Sequence, residues 1–207
     1  MSKTSHSFDL LRMYLPEGTF DRVMHYISTH HIHLTITRER TSVLGDYRGG
    51  VGRDHRISVN GNLNKFAFLY TLIHEIAHLL VFEKYRNRVA PHGTEWKQTF
   101  SGLLHEFVTE GVFPEDVQAA IAASMANPAA SSCAEEGLLR VFRKYDVQKN
   151  GHCFVEDLEQ GDCFRLKDGR TFRREEKLRK RYRCTEISTG KIYLFSPVFE
   201  VIKINNH

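Results

Sequence analysis

The sequence predicts an α+β fold in two parts, a helix-rich domain carrying a small sheet followed by a basic β-rich module, and three observations predict it. Residues 63–85 place Phe66, Leu69, Tyr70, Ile73, Ala77, Leu80 and Val81 at helical spacing, so that a strongly apolar helix should cross a core. Two earlier stretches, around Ile32, Leu34 and Ile36 and again at Ile57 and Val59, alternate polar with apolar residues as half-buried strands do. In the last third of the chain, short alternating runs are punctuated by Asp168-Gly169 and Thr189-Gly190, dipeptides suited to hairpin turns.

The elements follow in order. Pro16-Glu17-Gly18-Thr19 leads into Phe20, Val23, Met24 and Ile27, the stripe of a short amphipathic helix. The strand at His31 to Thr37 is separated from the one at Ile57 to Asn60 by a glycine-rich turn at Gly49, Gly50 and Gly52. After the long helix, residues 93–110 carry Trp96, Phe100, Leu103, Leu104 and Phe107 on one side of another helix, which Gly111 and Pro114 end. A further short helix is expected at 114–125. The small, polar, Pro-broken run from Ala126 to Ser132 marks a domain boundary, giving 1–125 as the first domain, 126–136 as linker and 137–207 as the β module, with a brief helix at 137–145. Strands are expected at 154–158, 163–166, 181–184 and 191–195.

With 207 residues, 41% hydrophobic and 26% charged, the chain has the balance of an ordinary globular protein. Its apolar stretches read as short of the ~20 residues that a membrane-spanning helix needs. The N-terminal residues lack the basic, apolar and small-residue regions of an export signal, so a cytoplasmic location is expected. The four cysteines, Cys133, Cys153, Cys163 and Cys184, form no C-x-x-C pair and are expected to be reduced, mostly buried thiols. Charge is unevenly placed: between Gly161 and Cys184 ten Lys or Arg face four acids.

His74-Glu75-Ile76-Ala77-His78 lies inside the long helix. Residues four apart share a helix face, so both imidazoles can turn onto one zinc ion. Glu75 is offset from that line, and its carboxylate can lie beside the metal as the general base that takes a proton from the water there. Two histidines and a glutamate on a buried helix would be costly without a metal. A third ligand candidate, His92, sits between Pro91 and Gly93 at the mouth of the next helix. Three protein ligands with one open position are what catalytic zinc requires.

These residues, with Arg88-Val89-Ala90-Pro91-His92-Gly93-Thr94-Glu95-Trp96, resemble the SprT-like metalloproteases, a family that includes bacterial SprT and the eukaryotic DNA–protein crosslink protease Spartan. The spacing from His78 to His92, the His-Gly pair and the Trp four residues after His92 carry the resemblance, which extends to about Gly111. It implies a zincin-like domain, one zinc held by His74, His78 and His92, Glu75 as catalytic acid/base, and Trp96 as a packing residue near the site. The cysteine-rich zinc-ribbon tail typical of bacterial SprT proteins is missing here, and the basic β module takes its place.

Two readings of that module stand side by side. Phe164, Phe172 and Tyr182 interleave with Arg and Lys in a way that permits stacking on DNA or RNA bases, or the charge is simply a solvated surface. His25, His30, His31 and His33 lack ligand spacing, and His105 reads as a surface residue. Tyr70, Tyr85 and Arg88 are candidate oxyanion donors, and the strand at Ile57 to Asn60 is a candidate edge strand for pairing with an extended substrate, provided it is not internal to its sheet. The expected function is a zinc metallopeptidase acting on protein substrates, including nucleic-acid-associated ones. The alternatives are a non-enzymatic nucleic-acid-associated factor with a structural zinc, and a zinc hydrolase of another amide or ester.

Overall fold

The structure is a computed structural model that describes residues 9–40, 43–49, 54–125, 136–147 and 150–204. Gly50, Gly52, Cys133 and all of the expected linker but Glu136 lie outside the described residues. The fold is mixed α+β and divides into two units, Met1–Asp146 and Val147–His207.

In the first unit a 3-10 turn, Leu10–Tyr14, precedes helix α1, Phe20–Thr29, which buries Val23 and Ile27 as its periodicity demands. Thr19, itself fully buried, starts α1 and donates its hydroxyl to the Pro16 carbonyl at 2.8 Å. Strand β1, Ile32–Thr37, pairs in parallel with β3, His55–Asn60, in the register Ile32↔His55. A strand not expected from the sequence, β2, Gly45–Gly49, pairs antiparallel with the other side of β3. The order is therefore β1-β3-β2, and the strand expected at the edge is the central one. Substrate pairing at Ile57 to Asn60 is excluded, because β3 spends its backbone groups on both neighbours.

Helix α2, Lys65–Tyr85, is capped by Asn64, whose Oδ1 accepts the Phe66 and Ala67 N–H groups at 3.1 and 3.0 Å. Thirteen of its 21 residues are buried, and it is apolar nearly all round because it runs through the core. By length and composition the segment Lys65–Arg88 would also pass as a membrane span, contrary to the expectation of short apolar stretches. Yet 72% of its most apolar window is buried inside the protein, the pattern of a core helix. Helix α3, Thr94–Thr109, packs Trp96, Phe100, Leu103, Leu104 and Phe107 into the same core and ends before Gly111, at φ 70°.

Helix α4, Glu115–Met125, buries Val117 and Ile121. Helix α5, Glu136–Arg143, was assigned by the sequence to the β module, but it belongs to the first unit. Leu138 and Phe142 join the core of α2 and α3, and Asn64 Nδ2 donates to the Phe142 carbonyl at 2.9 Å and to Asp146 at 2.7 Å. An amphipathic helix needs an apolar surface to cover, and α5 finds it on this unit.

The second unit is a six-stranded antiparallel sheet: β4, His152–Phe154; β5, Cys163–Arg165; β6, Thr171–Lys177; β7, Tyr182–Glu186; β8, Ile192–Phe195; and β9, Glu200–Ile204, in the order β4-β9-β5-β6-β7-β8. Gly169 and Gly190 turn the chain at φ 90° and 68°, where a side chain would be strained. Residues expected to continue a strand past Phe154 form the 3-10 turn Val155–Asp157 instead, and β6 and β9 were not anticipated. Phe164, Phe172, Tyr182, Cys184, Phe195 and Val201 make the core of this unit. Cys153 and Cys163 are half-buried and Cys184 is buried, all three as free thiols.

Candidate metal centre

Helix α2 places His74 and His78 one turn apart, and the 3-10 turn Arg86–Arg88 returns the chain so that His92 closes on them. The ring centroids lie 5.0 Å apart for His74 and His78, 4.5 Å for His78 and His92, and 5.5 Å for His74 and His92. One ring nitrogen from each lies within 4.8 Å of the others. These nitrogens converge closely enough for side-chain rotation to bring all three onto one ion.

The electrostatics favour neutral imidazoles, the form that a metal binds. Burial, aided by His78 and His92, depresses the His74 pKa to about 3. Burial and His92 depress that of His78 to about 4, and burial lowers that of His92. His92 Nε2 is buried with no hydrogen-bond partner, an orphaned acceptor or donor that a metal ion would satisfy. The donor set therefore fits a metal. Trp96, fully buried, has its ring centroid 4.7, 5.2 and 4.8 Å from those of His74, His78 and His92, and stacks on Phe100 at 4.8 Å. The expected packing role of Trp96 is what these contacts describe.

Glu75 is 5% exposed, one residue along the helix from His74. Burial, with a smaller push from Asp46, raises its pKa to about 8, while Arg40 and a hydrogen bond from the Tyr47 backbone N–H pull it down. Strand β2 comes unusually close to it. A Cβ on Gly45 would meet Glu75 Oε1 and Thr71 Cγ2 at 2.7 Å each, so only glycine admits this approach. The start of β2 is held by Asn60, 1% exposed, whose Oδ1 accepts from Arg40 Nε at 2.8 Å and whose Nδ2 donates to the Arg40 and Val43 carbonyls at 3.0 and 3.1 Å.

The histidines and Glu75 open into a cleft of about 470 Å³, lined also by Val43 to Tyr47 and by Val81, Phe82, Arg86, Val89 and Pro91. Tyr70, Tyr85 and Arg88 do not line it; Tyr70 is 1% exposed and packs on Phe100 and Phe142. Tyr47 does, and its hydroxyl meets His55 Nδ1 at 2.9 Å. Sequence reasoning missed Gly45, Tyr47 and Arg86, since none lies in a recognisable pattern. A larger cavity of about 700 Å³ between α1 and the end of α3 is lined by Arg22, Tyr26, Glu106 and Glu110, which pair with one another. Among the remaining histidines, His30 bonds Glu83 at 2.8 Å, His33 faces Asp54 at 3.5 Å, and His105 is exposed.

An α+β domain with three converging neutral histidines and a buried glutamate beside them defines a candidate metal site of the metallopeptidase kind. A model of the SprT-like family matches residues 17–113, from just before α1 to just after α3, the stretch whose motifs resemble that family. No curated protein and no solved structure matches the chain.

Proposed function

We propose that the chain is a zinc-dependent metallopeptidase with a zincin-like catalytic domain that hydrolyses peptide bonds of protein substrates, with His74, His78 and His92 as the zinc ligands and Glu75 as the general base and acid. The observation that carries this reading is the placing of Glu75. Its carboxylate is buried, held by the Tyr47 N–H and pressed by Gly45, and opens into the same cleft as the three imidazoles. A metal that only held the fold would have no use for that carboxylate.

Zinc, when bound, polarises the substrate carbonyl and acidifies water, bringing its pKa to about 7. The chain's own residues do the rest. A cation at the three imidazoles favours the ionised form of Glu75, against the burial that otherwise keeps it protonated. Glu75 Oε then accepts a proton from the attacking water and returns it to the leaving nitrogen. Strand β2, at the edge of its sheet among the described residues, offers to an extended substrate its outer backbone groups other than the Tyr47 N–H, which Glu75 takes, and a peptide paired there would be laid across Glu75.

Association with DNA or RNA is the partner half of the proposal, in revised form. Phe164 and Phe172 are fully buried and Tyr182 is 6% exposed, so none of the three can stack on a base. What supports a nucleic-acid surface is charge. Residues 147–207 hold 13 Lys and Arg against 9 Asp and Glu, which is the whole of the protein's net charge of +4. Lys177, Arg179, Lys180 and Arg181, exposed around the β6–β7 turn, form no ion pair among the described residues. A cytoplasmic location belongs to the same proposal and is supported by the free thiols of Cys153, Cys163 and Cys184.

The test is zinc content together with cleavage of unfolded and DNA-bound proteins by wild type and Glu75→Gln. One zinc per chain and cleavage that the substitution abolishes without loss of zinc would support the protease. Zinc with no cleavage of any protein would move the reading to a binding factor, and cleavage by Glu75→Gln at the wild-type rate would refute the role of Glu75.

A further inference from the structure

Arg86 is the residue at which α2 stops, and its backbone is unusual. It sits at φ 55°, ψ −138°, a left-handed position that favours glycine and penalises a side chain. Its N–H still bonds the Phe82 carbonyl, so the helix ends in an ordered turn rather than a frayed one. The guanidinium lies over the Phe82 ring, 5.1 Å from its centroid, and both side chains line the cleft that holds the three histidines and Glu75. Arg86 forms no ion pair among the described residues; the nearest acid on its own helix, Glu83, is engaged by His30 at 2.8 Å and faces His55 at 3.4 Å. The positive charge is felt on β2: burial and then Glu83 raise the Tyr47 phenol pKa to about 12, and Arg86 opposes them. An unpaired cation is thus fixed, at a cost in backbone strain, in a cleft lining that it shares with Val81, Phe82, Val89 and Pro91.

Its distance from the reacting centre follows from two rulers. Gly45 abuts Glu75 and Gly49 abuts the Phe82 ring, so β2 and α2 run side by side along the cleft. From Glu75 to Phe82 is seven helical residues, about 10 Å, and from Gly45 to Gly49 is about 13 Å of strand. At roughly 3.3 Å per residue, a peptide laid along β2 passes the Arg86 guanidinium, which lies over Phe82, about three to four residues from the bond beside Glu75. Antiparallel pairing, the more stable kind, runs such a peptide from Arg86 toward Glu75, which puts those residues on the N-terminal side of the scissile bond.

We propose that Arg86 is a specificity residue that selects substrates bearing an Asp or Glu side chain three or four residues N-terminal to the cleaved bond. This rests on the peptidase reading of the same cleft. Arginine binds carboxylates in a two-pronged, charge-assisted manner, and the flat Phe82 ring beneath it holds the guanidinium plane.

The test uses C-terminally amidated, fluorescein-labelled peptides in which one Glu, or one Gln in its place, is moved position by position along a common sequence. Cleavage is followed with zinc-loaded wild type, and binding by anisotropy with zinc-loaded Glu75→Gln. The expected result is about a tenfold preference for Glu over Gln at one of those positions, in kcat/KM and in Kd, falling to about onefold in Arg86→Gln and partly kept in Arg86→Lys. Arg86→Gly separates charge from structure: it should lose the preference while melting no lower than wild type, since glycine adopts this backbone without strain. Cleavage without a Glu preference, a preference on the C-terminal side, or one that survives Arg86→Gln would overturn the role of Arg86 and leave the peptidase intact. Binding that keeps the Arg86-dependent preference with no cleavage would overturn the peptidase and leave the carboxylate site; neither binding nor cleavage would overturn both.

Discussion

Gly45 and Glu75 touch so closely that a methyl group on the strand residue would sit 2.7 Å from the carboxylate oxygen of the helix residue. The strand thereby sets where the Glu75 carboxylate can lie. Gly45→Ala must displace either Glu75 or β2, and Thr71 Cγ2, also 2.7 Å away, blocks the alternative. A loss of roughly 1–3 kcal/mol in stability is expected from the overpacking. The larger effect should be on turnover, with kcat falling at least tenfold while zinc content stays at the wild-type level. Denaturant melts, zinc analysis and peptide kinetics on one preparation check it, and an unchanged kcat would show that the contact does not position Glu75.

The same contact explains what the sequence did and did not disclose. The long helix, its histidines and the histidine fourteen residues beyond were legible because helical periodicity and ligand spacing are local signals. Gly45-Asp46-Tyr47-Arg48-Gly49 has no alternation of apolar residues to announce a strand, and becomes one only through pairing with β3. Gly49 read as part of a turn, and Gly45, which lets the backbone approach α2, carried no signal at all. In the β module, β6 went unseen because Arg173, Arg174, Glu175, Glu176 and Lys177 look like a solvated loop. The aromatics that looked suited to base stacking are the ones its small sheet needs for a core, since a unit of this size has few other large side chains to bury.

Trp96 is the only tryptophan in the chain, and its ring centroid lies 5.2 Å or less from that of each of the three histidines. Its fluorescence should therefore report the metal directly. Titrating chelator-treated protein with copper(II) or cobalt(II) is expected to quench most of the emission at one equivalent, and zinc should compete the quenching away. Because a ligand that binds only the folded chain stabilises it by mass action, zinc at a hundredfold excess over its Kd should add about 2.7 kcal/mol. His92→Ala should lose most of both responses. Quenching that persists in this variant would mean the metal sits elsewhere.

For the metal-free chain, the buried groups give opposing pH dependences. Glu75 has its folded pKa raised to about 8 from an ordinary 4.5, so the folded state holds the extra proton and stability falls as pH climbs through that window. His74 and His78, depressed to about 3 and 4, act the other way, and their contribution is lost as pH falls from about 6.5. Stability in the presence of chelator should therefore peak near pH 6–7. Glu75→Gln should steepen the acid limb above about pH 4.5 and flatten the alkaline one, gaining on the order of 4 kcal/mol over wild type at pH 9. Urea melts from pH 5 to 9 read this out, and parallel alkaline limbs for the two proteins would place the charge of Glu75 in solvent rather than in the fold.

Arg179, Lys180 and Arg181 lie in the turn joining β6 to β7, where the Leu178 N–H closes on the Arg181 carbonyl at 2.8 Å. All three side chains are exposed, so replacing them with Gln should leave the melting temperature within a degree or two. Each phosphate contact releases counterions and contributes about 0.7 to the salt slope on single strands and about 0.9 on duplex. If this turn grips nucleic acid, the triple variant should reduce the slope of log K against log salt by about 2–3 and weaken binding similarly for unrelated sequences. Anisotropy with a labelled single strand and a labelled duplex, between 50 and 200 mM salt, makes the comparison. Salt slopes identical to wild type would make the turn a solvated surface and return the search for a nucleic-acid face to Arg165 and Arg173, whose side chains are exposed on β5 and β6.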